Sequence, residues 1–210
     1  MVQQADKLIE KHFRMDIKKI VVVGSTNMDM VVKTSHIPVP GETVLGGSFL
    51  MNPGGKGANQ AVTVARLGGD VIFISKVGND VFGKQSSQLF DEEGINTYHV
   101  LSDSEMPSGV ALITVDNSGE NSIVVASGAN GNLFPDDLKD ALDEIAAAGF
   151  LLMQLEIPME TVHFVAKYAA EKGVRVILNP APANTLSAEL LSYIDIITPN
   201  KKEAEMLSRI

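Results

Sequence analysis

Apolar residues gather along the chain in five runs rich in β-branched side chains: "KIVVVG" (19–24), "VIFISKVG" (71–78), "FLLMQLE" (150–156), "VRVILNP" (174–180) and "IDIITPN" (194–200). Such runs, apolar without alternation, are characteristic of strands covered on both faces of a parallel sheet. Between them, residues 57–67, 80–93, 135–148 and 159–172 carry apolar positions at three-and-four spacing, several opening on Asp or Pro and closing at Gly. That is helix entry and exit chemistry. The alternation predicts an α/β fold with a mainly parallel sheet flanked by helices.

Two stretches break the rhythm. "ETVLGGSFLMN" (42–52) and "SGVALITVDNSGENSIVVASG" (108–128) read as short strands joined by Gly, Asn and Asp turns, with "DNSGEN" as a hairpin tip. Separate in sequence but alike in character, they are expected to pair into a small second sheet, a lid drawn from about 29–55 and 107–128. Residues 1–17 form a polar extension with a weak apolar stripe (Leu8, Ile9, His12, Phe13), read as functionally silent, and Met15 is an alternative start. The α/β domain proper is expected over 18–210.

Polar groups sit at the carboxyl ends of the buried runs: Asn27 and Asp29 after the first, Glu156 after the third, Asn179 and Asn200 after the fourth and fifth. Ligands of parallel α/β sheets bind outside that edge, so these five are expected to converge on one crevice. For any single strand, loop solvation explains the residue equally well.

Charge and composition narrow the ligand classes. Lys and Arg number 17 against 26 Asp and Glu, a net charge of −9 with no basic patch, so nucleic acid and anionic lipid are not expected partners. No apolar run approaches the ~18 residues of a membrane span. With no cysteine and no signal-like apolar core at the start, the cytoplasm is the simplest location.

The candidate chemistry is concentrated in "NPGGKGANQA" (52–61), three glycines around a lysine running into a helical pattern. A Walker-type loop needs Ser or Thr after its Lys, but Gly57 and Ala58 follow Lys56. A dinucleotide fingerprint would place its glycines directly after the first strand, where "GSTNMD" has one. What remains is a turn with backbone N–H groups at Gly54, Gly55 and Gly57, an ammonium at Lys56 and an amide at Asn59, able to hold a small polar ligand. The bland alternative is a tight turn with a solvated lysine and Asn59 as a cap. Near the other end, Asn200 and Glu203 fall three apart at a helix start, which an N-cap followed by a first-turn acid explains locally.

"GSTNMD", "PGET", "GGKGANQA", "MQLE", "LNPAPA" and "DIITPNKKEAE", in this order, resemble the ribokinase-like family of carbohydrate kinases over about residues 18–210. "MQLE" and "NPAPA" point within it to the ribose-phosphorylating branch. The resemblance implies an α/β body with a β lid that also makes a homodimer contact, and ATP-dependent phosphorylation of D-ribose to D-ribose 5-phosphate with Mg2+ and K+. By this resemblance, Asn27, Met28 and Asp29, with Gly55, Lys56, Gly57, Ala58 and Asn59, form the sugar-binding stretches. Glu156 stands at the rim of the same pocket. Asn200 is implied near the ATP phosphates, and Glu203 in the phosphate and magnesium neighbourhood.

Family members continue beyond the point matching Ile210, and that part carries a G-A-G-D motif with the general base, most adenine contacts and the monovalent-cation loop. The C-terminal part is thus expected to be absent, no catalytic base is expected in this chain, and the chain alone is expected not to phosphorylate ribose. His12, His36, His99 and His163 are expected at the surface. Two other readings stay open: a catalytically silent sugar-binding or interaction module, and a kinase for a related sugar or nucleoside.

Overall fold

The computed structural model describes residues 19–208, so the extension read at 1–17, with His12 and Met15, lies outside the described residues. Six parallel strands form the main sheet: β1 (Ile20–Val23), β4 (Val71–Gly78), β5 (Val100–Asp103), β8 (Phe150–Met153), β9 (Arg175–Leu178) and β10 (Ile196–Ile197). Their spatial order is β10-β9-β8-β1-β4-β5. The five apolar runs all supply strands. The sixth, β5, falls in "VLSD", too short and too polar at one end to stand out by pattern.

Side chains of β1 explain the layering. Val21 and Val23 point into one core, with Leu151, Met153, Val176 and Leu178 of neighbouring strands, and Val22 into the other, with Phe73. The first core is covered by helices α3 (Leu142–Ala147) and α4 (Met159–Glu171), through Ile145, Val162, Val165, Ala166 and Ala169. The second is covered by α1 (Lys56–Arg66) and α2 (Val81–Glu92), through Ala58, Ala61 and Phe90. Phe90 meets Phe73 edge-on with ring centroids 5.2 Å apart. Around β1 and β4 both faces of the sheet are buried, which is why these strands lack polar alternation, whereas Ile196 and Ile197 of edge strand β10 are exposed.

The helix expected at 135–148 is two pieces, a 3-10 segment (Pro135–Ala141) and then α3. Pro135 starts the tighter turn, and the Asp137 carboxylate caps it by accepting the Phe134 N–H at 2.8 Å. A short α5 (Ala188–Ser192), capped by Ser187, and a terminal α6 (Lys201–Ser208) complete the helices among the described residues. None of these is long and apolar enough to cross a membrane.

A second, four-stranded sheet projects as the lid, in the order β3-β2-β6-β7. β6 (Gly109–Val115) and β7 (Asn121–Ala126) form the expected antiparallel hairpin. At its tip the Asp116 carboxylate accepts the N–H groups of Ser118 and Glu120, and Gly119 takes φ of 88°, a conformation glycine adopts without steric cost. Two boundaries differ from expectation. β3 occupies Ser48–Gly54, beginning later than the pattern at 42 suggested, because Gly46 and Gly47 take φ of 95° and 114°. The polar stretch after β1 is itself a strand, β2 (Asn27–Lys33), antiparallel to β3 and parallel to β6. Only Gly24, Ser25 and Thr26 separate the two sheets along the chain.

The histidine expectation needs one correction. His99 is only 5% exposed, with its Nε2 3.5 Å from Glu144 and its ring edge-on to Tyr98. It lies just before edge strand β5, so α3 can cover it.

Candidate functional site

β1 is flanked by β4, the next main-sheet strand in sequence, and by β8, which comes much later. This reversal of order opens a crevice at the carboxyl edge, where Asn27 follows β1 and Glu156 follows β8. A cavity of about 650 Å³ occupies it, lined by Asn27, Lys56, Asn130, Leu155, Glu156 and Pro158, with Ile123 and Val125 of the lid on another wall.

The glycine turn builds one side of the crevice. Gly55 stands at the N-cap of α1 with φ of 92°, and a Cβ there would lie 2.8 Å from the Asn27 N and 3.0 Å from the Ser25 O. Only glycine lets this turn pass so close to the β1–β2 connection. At Gly57 a Cβ would meet the Ser25 N at 2.5 Å. Of the three glycine amides read as open for a ligand, the chain itself uses that of Gly57, and it also engages the neighbouring Lys56 N–H. The Lys56 N–H donates to Glu156 Oε2 at 3.1 Å, and the Gly57 N–H to Ser25 Oγ at 3.3 Å. Ser25 Oγ donates in turn to Glu156 Oε2 at 2.6 Å. The positive end of the α1 dipole therefore faces an internal carboxylate.

Lys56 Nζ reaches Glu156 Oε1 at 3.3 Å, with the lysine side chain 38% exposed and the glutamate 9%. Lys56 thus shows a solvated ammonium to the cavity while Glu156 anchors its base. The Asp29 carboxylate lies against Gly54 on the neighbouring strand, where a Cβ would collide with it. Partial burial pushes the Asp29 carboxyl above its ordinary range, the charge of Glu156 adds to this, and Lys56 opposes it.

Not every expected residue reaches this cavity. Alternation along β2 puts Met28 opposite Asn27 and Asp29, and its side chain is buried. Ala58 is buried in the second core. Asn59 and Asn179 line a separate cavity of about 350 Å³ with Lys56, Gln60 and Thr63, so Lys56 stands between the two spaces. The Asn179 Oδ1 is buried there without a hydrogen-bond partner. Asn200 does not join either group. It caps α6 reciprocally with Glu203: the Asn200 N–H and Nδ2 donate to the two Glu203 carboxylate oxygens at 2.8 Å each, and the Glu203 N–H donates to Asn200 Oδ1 at 2.9 Å.

Each Glu203 oxygen accepts one hydrogen bond from Asn200 and keeps a further lone pair. Among the described residues no three acidic or histidine side chains come together as metal ligands. Asn130, buried on the turn Gly128–Asn132 after β7, was missed at the sequence level. "GANGN" reads as turn chemistry, and only its place behind β1 shows what its side chain holds.

The profile of the pfkB family carbohydrate kinases matches residues 17–210. The chain is 49% identical over 193 residues to the ribokinase of Haemophilus influenzae, covering 92% of this chain and 63% of that protein. The ribokinase of Bacillus subtilis is 43% identical over 191 residues, covering 91% and 65%. Among solved structures, Arabidopsis thaliana ribokinase complexed with ribose and ATP superposes with a TM-score of 0.81 at 35% identity, covering 91% of this chain and 63% of that one. The chain spans less than two thirds of each of these relatives.

Proposed function

The chain belongs to the pfkB family of carbohydrate kinases, and we propose that it carries the sugar-binding part of a ribokinase, holding D-ribose in the cavity between the lid and the carboxyl edge of the main sheet. The observation that carries this reading is the meeting of Asn27, Lys56 and Glu156 on one cavity, with Asp29 in electrostatic reach of the last two. A pentose presents hydroxyls that each donate and accept, and an amide, an ammonium and a carboxylate satisfy both halves. Asp29 accepts, Asn27 and Lys56 donate, and Gly55 keeps the backbone close enough for contact. Glu156 acts on the sugar through Lys56 and the start of α1. Asn59 lines the second cavity, on the other side of Lys56.

Identity to ribokinases and the superposition on one complexed with ribose and ATP support the wider reading. In it the whole protein transfers a phosphoryl group from ATP to ribose in the cytoplasm, with Mg2+ and K+ held mainly outside this chain. Phosphoryl transfer depends on positioning and charge neutralisation, and the residues here supply the sugar positioning. The lid also serves a homodimer. Met51, Met30, Leu112 and Val124 form a cross-strand row on the face opposite Asp29, and Leu112 and Val124 are 55% and 66% exposed. Contiguous apolar surface of this kind marks a contact between chains.

Isothermal calorimetry of the 210-residue chain with D-ribose tests the sugar site. Saturable binding is expected in the wild type, with at least ~10-fold loss in Asp29→Ala, because a hydrogen bond to a charged group contributes ~1.5–3 kcal/mol. Equal affinity in the two proteins overturns the assignment.

A further inference from the structure

Asn130 is 1% exposed and forms part of the wall of the larger cavity. Its carboxamide grips residue 26 on both sides: Oδ1 accepts the Thr26 N–H at 2.8 Å, and Nδ2 donates to the Thr26 carbonyl at 2.9 Å. A backbone N–H only donates and a carbonyl only accepts, so this pairing permits one orientation of the Asn130 amide. Its remaining Nδ2 proton donates to Asn27 Oδ1 at 2.8 Å.

The consequence falls on Asn27. Its carbonyl oxygen is committed to Asn130. Its Nδ2 is not among the buried atoms left without a partner, and Asn27 lines the cavity. Gly109, the register partner of Asn27 on β6, backs the pair. A Cβ at that position would overlap both Asn27 Oδ1 and Asn130 Nδ2, so the absence of a side chain at 109 is part of the device.

We propose that Asn130 is a positioning residue that fixes the flip of the Asn27 carboxamide, so that the cavity meets an N–H donor and not a carbonyl acceptor at that point. A ligand hydroxyl there accepts from Asn27 and spends its own proton on an acceptor such as Asp29. The selectivity claim rests on the sugar-binding reading. The fixed orientation does not, since it is built without a ligand.

Solution NMR on 15N-asparagine-labelled chain separates the two. The Asn27 side-chain pair is identified by its loss in Asn27→Asp, and that of Asn130 by proximity to the Gly109 protons. Without sugar, the Asn130 NH2 protons are expected to exchange with water at least ~10-fold more slowly than those of Asn27, as buried bonded amides do. The reverse order overturns the proposal, whatever the ligand.

Calorimetry with D-ribose then completes a double-mutant cycle. Asn27→Ala and Asn130→Ala are each expected to weaken binding by roughly 5- to 10-fold, and Asn130→Ala to add less than about twofold on top of Asn27→Ala. Losses that multiply would show a merely structural residue and overturn the proposal. If Asn130→Ala does not fold, the exchange order in the wild type still decides the orientation. The expected amide pattern with no response to D-ribose supports the fixed carboxamide and overturns the sugar-binding reading.

Discussion

Lys56 and Glu156, one hundred positions apart in sequence, face each other at 3.3 Å, and the same glutamate also accepts the Lys56 backbone N–H. Side chain and main chain of one residue thus close on one carboxylate. The two bonds differ in worth, because the ammonium is partly solvated whereas the N–H and the Ser25 hydroxyl lose a buried partner if the glutamate goes. Lys56→Ala is expected to change stability by less than ~1 kcal/mol, and Glu156→Ala to cost ~2–3 kcal/mol. Chemical denaturation of both variants checks the asymmetry, and equal costs would contradict it.

Asp29 is expected to oppose folding while serving binding. Its folded carboxyl holds a proton to higher pH than the ordinary 3.8 of the unfolded chain, through burial first and the charge of Glu156 second. The folded state therefore binds more protons in the window above 3.8, and the contribution of this group to stability falls as pH rises through it. Asp29→Asn should raise the Tm at neutral pH, with the gain shrinking as the pH is lowered toward 3.8, and should bind ribose more weakly. Thermal melts across pH 4 to 8 measure it, and a lower Tm in the variant at pH 7 counts against the burial argument.

Asp80 has the opposite sign. Burial pushes its carboxyl up, but hydrogen bonds from the Gly83 N–H, the Ser108 N–H and the Ser108 hydroxyl outweigh that and leave it below the ordinary 3.8. Its stabilisation is complete above the unfolded value and lost as pH falls through the folded one. Because this carboxylate caps α2 and also ties down the residue before β6, Asp80→Ala is expected to cost ~2 kcal/mol or more at pH 7. The deficit against wild type should narrow below about pH 3.8, which urea titrations at two pH values would show.

The apolar row on the outer lid face predicts association. Leu112→Glu with Val124→Lys should shift the chain toward monomer in sedimentation, without lowering its Tm by more than ~1 kcal/mol equivalent, since both positions are exposed. An unchanged sedimentation profile would remove the lid from the dimer contact.

The main sheet was legible because a strand covered on both faces needs an unbroken apolar run, as β1 and β4 have, and the exposed edge strand β10 carries such a run too. The lid was harder. Its β7 is exposed along its length yet carries "SIVVA", since one face looks into the cavity and the other outward, so no alternation remains to read. β2 was hidden by its own chemistry: Asn27 and Asp29 look like the solvated end of β1 until Gly54 and Gly109 are seen paired beside Asn27. In the site, residue types pointed to Asn27, Lys56 and Glu156. Only geometry could show that Met28 and Ala58 serve the core and that Asn130 holds Asn27, whereas the Asn200–Glu203 cap was already legible in their spacing.

The register of β2 carries a consequence for how the protein comes apart. Its neighbour β6 begins ~80 residues later, and their parallel pairing cannot form until that loop closes. The β6–β7 hairpin, by contrast, is local. Asn27 and Asp29 are therefore expected to take their final places late on the folding path. A sugar bound by them should leave the refolding rate nearly unchanged and slow unfolding in proportion to its occupancy. Stopped-flow traces with and without D-ribose would register this as a shift in one limb of the chevron alone, so that ligand protects the protein by lengthening its lifetime and not by hastening its birth.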